Sequence, residues 1–312
     1  MNGDSTADID ALGERRRLSG KAAVDATTAL LQRGRSMHPW IGLYDPGEVE
    51  WWWTRPRHTD GLDQLFWFDE QGPIAAAHFT DFGTGESEVY DAILFCPFTL
   101  PGADEDTIRH VATAGVALAE EHGFAQIDLE VSQADPLLRA VLDELGFTTD
   151  GVPVIEQGWI DTAARPPVPA IADGYRLTNR AEVRRTQPDR PHHMTIRTPV
   201  FDETRLRSLS QYDAELDLVV LDANDDVAAY GLFWFDPVTS TGVVEPMRTF
   251  DDHQRRGLAR HVLTAGIDLL ARAGAARVAI GWEPDNAASG ALYQDVGFVK
   301  DTTTDQWFSP QL

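Results

Sequence analysis

Apolar and polar positions follow a clear alternation in the second half of the chain. Gly174-Tyr175-Arg176-Leu177 reads as an opening strand, and Asp202 to Gln211 as a helix with Asp202 in the N-cap position. Leu216-Asp217-Leu218-Val219-Val220-Leu221 reads as a strand. The turn residues Asp222-Ala223-Asn224-Asp225-Asp226 follow, and Val227 to Phe235 returns as the second strand of a hairpin. Gly242 to Met247 is a third strand. Gly257 to Ala273 carries a helical stripe at positions 258, 262, 263, 266, 269 and 270. Arg277 to Trp282 is a strand and Ala287 to Asp295 a short helix. The order strand, helix, hairpin, strand, helix, strand, helix predicts a mixed α/β domain with an antiparallel front and a helix-crossover back.

The same pattern occurs earlier. Leu142-Asp143-Glu144-Leu145-Gly146-Phe147 matches Tyr293-Gln294-Asp295-Val296-Gly297-Phe298, and Gly146 and Gly297 lie 151 positions apart. At that spacing Thr113-Ala114-Gly115-Val116-Ala117-Leu118 falls on Thr264-Ala265-Gly266-Ile267-Asp268-Leu269, and Ile127 and Leu129 fall on Val278 and Ile280. Two halves of one architecture are expected, joined through the Pro-rich stretch Arg165-Pro166-Pro167-Val168-Pro169 as an extended linker. The expected division is an N-terminal helical extension over 1–35, with Ala7 to Gly34 of helix-forming composition, a first domain over 36–165 and a second over 170–312.

With 312 residues the chain is long enough for two domains. No stretch of about 18 apolar residues predicts a transmembrane helix, and no apolar run follows Arg15-Arg16-Arg17 to make a secretory signal. The single Cys96 excludes an internal disulfide framework, so a cytoplasmic location is the default expectation. A net charge of −24 opposes nucleic-acid binding and suits cationic ligands such as amines. Lysine occurs only at Lys21 and Lys300, so arginine carries nearly all the positive charge.

Against that acidity, Gln254-Arg255-Arg256-Gly257-Leu258-Ala259 stands out between a strand and the long helix. Free N–H groups and the positive end of the dipole at a helix start form an anion site suited to a pyrophosphate. Gly257 allows the backbone a close approach, and Ala259 keeps the next position small.

The Gln-x-x-Gly-x-Ala element, followed by Asn286, Tyr293 and Gly297-Phe298 at spacing Asn-x6-Tyr-x3-Gly-Phe, resembles the GNAT superfamily of acetyl-coenzyme A-dependent N-acetyltransferases. The resemblance covers roughly Gly174 to Trp307 and, more weakly, the first half, in a tandem layout like that of mycothiol synthases. It implies two GNAT-like domains of mixed α/β (α+β) class, each a mainly antiparallel sheet flanked by helices. It further implies that Met247, Arg248 and Thr249 bind the pantetheine arm through the backbone, that Gln254, Arg255, Arg256, Gly257, Leu258, Ala259 and Arg260 bind the pyrophosphate, and that Asn286 hydrogen-bonds the cofactor. Tyr293 is the implied proton donor to the departing thiolate and Glu245 the carboxylate that takes the ammonium proton. One departure is Asp251, where the family usually has proline.

At the repeat spacing the first half lacks these groups: Gln254 falls on Ala103, Arg255 on Asp104, Arg256 on Glu105, Gly257 on Asp106, Tyr293 on Leu142, Asn286 on Asp135 and Glu245 on Leu94. Carboxylates at a phosphate site repel the cofactor, so the first domain is expected to bind none. Its Trp51-Trp52-Trp53 run and Trp67 either fill a core or line a pocket. His192-His193 has no third metal ligand nearby in sequence, so no metal site is expected. The expected function is acetyl transfer from acetyl-coenzyme A to a primary amine of a small molecule; the rival is a non-catalytic acetyl-coenzyme A sensor or scaffold.

Overall fold

The computed structural model describes residues 8–38, 42–82 and 93–312; residues 1–7 of the expected N-terminal extension lie outside the described residues. In chain order the elements are β1 (Asp8–Asp10), β2 (Gly13–Leu18), α1 (Gly20–Met37), α2 (Pro46–Trp53), β3 (Gln64–Asp69), β4 (Gly72–Asp81), β5 (Ile93–Thr99), α3 (Glu105–Glu121), β6 (Asp128–Ser132), α4 (Pro136–Glu144) and β7 (Thr148–Asp161). Then follow β8 (Arg176–Asn179), α5 (Arg180–Thr186), α6 (Glu203–Arg207), β9 (Asp217–Leu221), β10 (Val227–Asp236), β11 (Thr241–Thr249), α7 (Leu258–Ala273), β12 (Arg277–Trp282), α8 (Ala287–Val296) and β13 (Val299–Phe308).

Two compact units result: Met1–Val154 with Thr302–Leu312, and Ile155–Asp301. In the first, the strand order is β1-β2-β3-β4-β5-β6, closed on the far side of β6 by the end of β13. All of these pairs are antiparallel except β5 with β6. In the second, the end of β7 is followed by β12-β11-β10-β9-β8, with β11 and β12 parallel and the other pairs antiparallel. Both are mixed α/β units with mainly antiparallel sheets and flanking helices, and the repeat is structural. Shifted by the repeat spacing, β5, α3, β6 and α4 fall on β11, α7, β12 and α8. The shared glycine of the long helix has a steric cause in each unit: a Cβ would lie 2.2 Å from the ring of Phe95 at Gly115 and 2.1 Å from the ring of Phe233 at Gly266. The helix can rest on the sheet only where no side chain intervenes.

The N-terminal segment differs from the expected helical extension. Helix occupies only Gly20–Met37, preceded by two strands, and β2 pairs with β3 from Glu14↔Phe68 to Leu18↔Gln64. The arginines of β2 are paired, Arg16 with Glu14 two positions away and Arg17 with Glu121 on α3. Ala23 and Leu30 of α1 pack on Phe66 and Ala76, making this segment part of the first unit.

The limits of the units also differ from the expected ones, because the last strand of each half leaves the unit it follows. Beyond Val154, β7 pairs with β12 from Glu156↔Trp282 to Asp161↔Arg277. Beyond Asp301, β13 pairs with β6 from Thr304↔Ser132 to Phe308↔Asp128. The Pro-rich stretch is therefore internal to the second unit and tied down there: Arg165 bonds Asp268 at 3.0 Å, and the carbonyl of Pro169 lies 2.8 Å from Nδ1 of His261. Each unit has its own core, centred on Trp67, Phe79, Phe95, Leu129 and Trp307 in the first and on Phe233, Val262, Ile267, Val278 and Tyr293 in the second. Cys96 is a buried core residue whose thiol burial pushes well up, leaving it inert. Among the described residues no helix is long and apolar enough to cross a membrane.

Trp307 is 3% exposed and belongs to the core of the first unit. Trp307→Ala is expected to cost about 3–5 kcal/mol. Hydrogen exchange should place the loss in β6, with Leu129 and Val131 losing protection before the strands β9 and β10.

Candidate active site

The second unit builds a cleft between two strands that start parallel. The pairing of β11 with β12 covers Thr241↔Arg277 to Val244↔Ile280, whereas β11 continues to Thr249 and β12 to Trp282. On its other side β11 carries a bulge, because Leu232 of β10 faces both Glu245 and Pro246, between the pairs Val244↔Phe233 and Met247↔Gly231. A bulge re-aims side chains and releases ladder groups at that point. The carbonyl of Glu245 is instead taken by the indole N–H of Trp234, 2.7 Å away.

Past Thr249 the chain makes a short 3-10 turn over Asp251–His253 and then enters α7. Arg255 at φ 58° and Gly257 at φ 77° are both left-handed, which turns the backbone into the helix start. No side chain caps α7, and a Cβ at Gly257 would meet nothing within 4 Å. The first-turn N–H groups thus have no side-chain cap at the positive end of a helix of 16 residues. Gln254, Arg255, Arg256 and Gly257 are exposed around them. Arg256 lies over the ring of Tyr175 at 6.0 Å, and the Tyr175 hydroxyl is 3.0 Å from Nδ1 of His253. Asp251, the departure from the family pattern, is drawn off: its Oδ1 accepts from Gln254 at 3.0 Å and lies 3.9 Å from Arg248.

The other predicted residues take varied places. Leu258 is 1% exposed and anchors the helix in the core, so only its backbone can serve a ligand. Ala259 is half-buried, and Arg260 is ion-paired with Asp295. Met247 packs against the core, while Nε of Arg248 and Oγ1 of Thr249 are buried with no hydrogen-bond partner among the described residues. Asn286 is exposed and caps α8, accepting from the Ser289 N–H at 3.3 Å. Tyr293 is 6% exposed, edge-on to Trp282 and Phe298. Burial pushes its phenol up to about 12; a hydrogen bond with Ser289 opposes that and the negative charge of Glu245 adds to it. The fold thus brings Tyr293 and Glu245 into electrostatic contact.

The equivalent junction in the first unit is closed. Asp104 caps α3, its Oδ1 accepting from the Thr107 N–H at 2.9 Å; the Thr107 hydroxyl first, and then this N–H, hold the carboxyl below its ordinary value. Glu105 and Asp106 occupy the first turn and both pair with Arg109. A carboxylate already stands where an external anion would bind.

A second polar cluster lies outside this cleft and was invisible to sequence spacing. His192 and His193, expected to have no third ligand beside them, both contact the buried Asp217 at the start of β9, at 2.8 Å and 3.1 Å. Only the fold brings residues 25 positions apart together. Tyr212 donates to the same carboxylate at 3.0 Å. Burial opposes the charge on Asp217, but the two imidazoles outweigh it and hold the carboxyl well below its usual range. Nδ1 of His192 accepts from the Met194 N–H at 3.2 Å. With Nδ1 accepting, Nε2 of His192 is the ring donor that faces Asp217. The cluster ties the segment after α5 to β9. Asp217→Asn is expected to cost about 1–3 kcal/mol in thermal or denaturant unfolding.

Comparison with known proteins agrees with this architecture. Residues 184–298 match the acetyltransferase (GNAT) family. The second unit carries a GNAT acetyltransferase domain. A tandem GNAT protein from the clavulanic acid biosynthesis pathway, solved without AcCoA, is 14% identical with a TM-score of 0.66, over 95% of this chain and 98% of that one. A GCN5-related N-acetyltransferase from Sphaerobacter thermophilus is 13% identical with a TM-score of 0.57, over 98% of both chains. A GNAT-family acetyltransferase from Colwellia psychrerythraea is 10% identical with a TM-score of 0.53, over 95% of this chain and 99% of that one. These likenesses describe the fold. No curated protein sequence matches the chain. The family supports an acyltransferase of the N-acyltransferase type.

Proposed function

We propose that the second unit transfers an acetyl group from acetyl-coenzyme A to a primary amine of a small molecule, and that the first unit binds no cofactor. The observation that carries this reading is the uncapped start of α7, flanked by Arg255 and Arg256, beside the cleft where β11 and β12 part. The pyrophosphate would lie on the N–H groups of Gly257 to Arg260, with Gln254 and the two arginines around it. The pantetheine arm would run along the exposed backbone edge of Met247, Arg248 and Thr249 toward Asn286.

In the reaction the amine nitrogen attacks the thioester carbonyl, and a tetrahedral oxyanion forms. As it collapses the carbon–sulfur bond breaks, and the departing thiolate takes the proton of Tyr293. Glu245, directly or through water, takes the proton that the nitrogen loses. No covalent enzyme intermediate is needed. A phenol held at about 12 keeps its proton throughout the neutral range, as a donor must. The acidity of the chain, at net charge −24, favours cationic amines near the protein.

Calorimetric titration with acetyl-coenzyme A should give one site per chain in the wild type and none in Gly257→Glu, which places a carboxylate at the phosphates. Two sites would show that the first unit binds cofactor; none would remove the acetyltransferase reading. Tyr293→Phe should lower turnover by about 10²–10⁴-fold at nearly unchanged cofactor affinity. Between pH 7 and 10 the phenol should remain protonated, so wild-type turnover should show no descending limb absent from Tyr293→Phe. Such a limb with a midpoint below 10 would contradict the raised value.

A further inference from the structure

The first unit contains a cavity that the acetyltransferase reading does not use. Its wall includes Trp52, Trp53, Arg57, Asp60, Gln64 and His78. Most arginines of this acidic protein meet a carboxylate within the ion-pair limit, as Arg33 does with Asp69 and Arg35 with Asp45. Arg57 does not. Its Nε donates to the carbonyl of Trp52 at 3.1 Å, and its guanidinium lies over the ring of Phe82 at 4.7 Å. Among the described residues its two Nη groups have no hydrogen-bond or ion-pair partner.

The nearby acids are committed elsewhere. Asp81 accepts from the N–H and hydroxyl of Thr59, both at 3.2 Å, and Asp60 accepts from the backbone N–H of Arg57 at 2.9 Å. Burial holds Arg57 down to about 10; the charges of Asp81 and Asp60 oppose this and that of Arg55 adds to it. His78 is kept neutral at about 4 by burial, with Nδ1 at 3.2 Å from Oγ1 of Thr27, so it contributes no charge at neutral pH. The tryptophan wall is itself braced. Trp52 meets Tyr44 edge-on at 5.0 Å and Phe82 at 5.7 Å. A half-buried guanidinium is thus held in place by one backbone bond and one ring, its forked donors are unspent, and its walls are aromatic. Leaving such a charge unpaired is costly, and a bidentate anion removes the cost.

We propose that this cavity binds the carboxylate of a small organic acid, with Arg57 as the bidentate partner and Trp52 and Trp53 against the apolar body of the ligand. The site belongs to the first unit alone and does not depend on the proposed reaction.

The test is calorimetry on the full chain with formate, acetate and benzoate, and with benzamide as the uncharged twin of benzoate. Saturable binding of benzoate at one site is expected, with benzamide at least about tenfold weaker and Arg57→Gln reducing benzoate affinity at least about tenfold. A coenzyme A titration on the same preparations reports the second unit separately, and unchanged unfolding temperatures show that the variant is folded. If Arg57→Gln does not fold, Arg57→Lys serves, because it keeps the charge and loses the fork, and it too should weaken benzoate. Absence of saturable binding by all three carboxylates, equal binding of benzamide, or undiminished binding by a folded variant would each overturn the proposal.

Discussion

The parallel pairing of β11 with β12 is the constraint on which the rest of the second unit depends. Parallel neighbours cannot be joined by a tight turn, so the chain must cross over, and α7 is that crossover. Its start is then forced to lie just past the end of β11, with its unpaired N–H groups at the mouth of the cleft. Because the pairing stops at Val244 and Ile280, the remaining edge of β11 is available beside that helix start. The bulge at Glu245 and Pro246 follows on the opposite edge. The uncapped helix start and its place beside the free edge of β11 are thus consequences of one crossover.

The first unit obeys the same constraint with a different electrostatic outcome. β5 and β6 are parallel and α3 is their crossover, so its N-terminus stands in the equivalent place. There Asp104 satisfies the helix start from within. A side chain one bond away from its own backbone needs no binding entropy to reach the site, whereas a phosphate does. One cap residue therefore separates a helix start left uncapped from one satisfied from within. In so acidic a chain, arginines without carboxylate partners are the informative ones, and they occur both at Arg255 and Arg256 and at Arg57.

Much of this was legible in the residues. The 3.6-residue stripe of α7, the turn chemistry of 222–226 and the strand β12 appear in the structure within a residue or two of where periodicity puts them. The glycine pair Gly115 and Gly266 was readable as a repeat, and its cause is the ring beneath each helix. The helix expected over Asp202 to Gln211 is shorter, Glu203–Arg207, although Asp202 caps it as expected, accepting from Thr204 and Arg205. β2 was missed because the helix-forming composition of Ala7 to Gly34 hides it, and its partners, β3 and Glu121, are far away in sequence. Asp217 interrupts an apolar strand and gave a weak signal of its own; that it gathers His192, His193 and Tyr212 could not be read from spacing.

By itself the sequence determined the local matters: the stripe of α7, the strands and turn of the second half, that the chain repeats, which helix start is basic and which is acidic. These depend on neighbours a few residues apart, where periodicity, caps and φ preferences act directly. Only the tertiary structure decided where the final strands go. β7 and β13 carry no mark of their partners, since an extended segment pairs with whichever edge its apolar face and register fit, and the register of β13 on β6 joins residues more than 170 positions apart. Tertiary packing also decided that Tyr293 is buried within reach of the charge of Glu245 and that Arg57 meets no acid among the described residues, because both depend on which side chains come together in the fold.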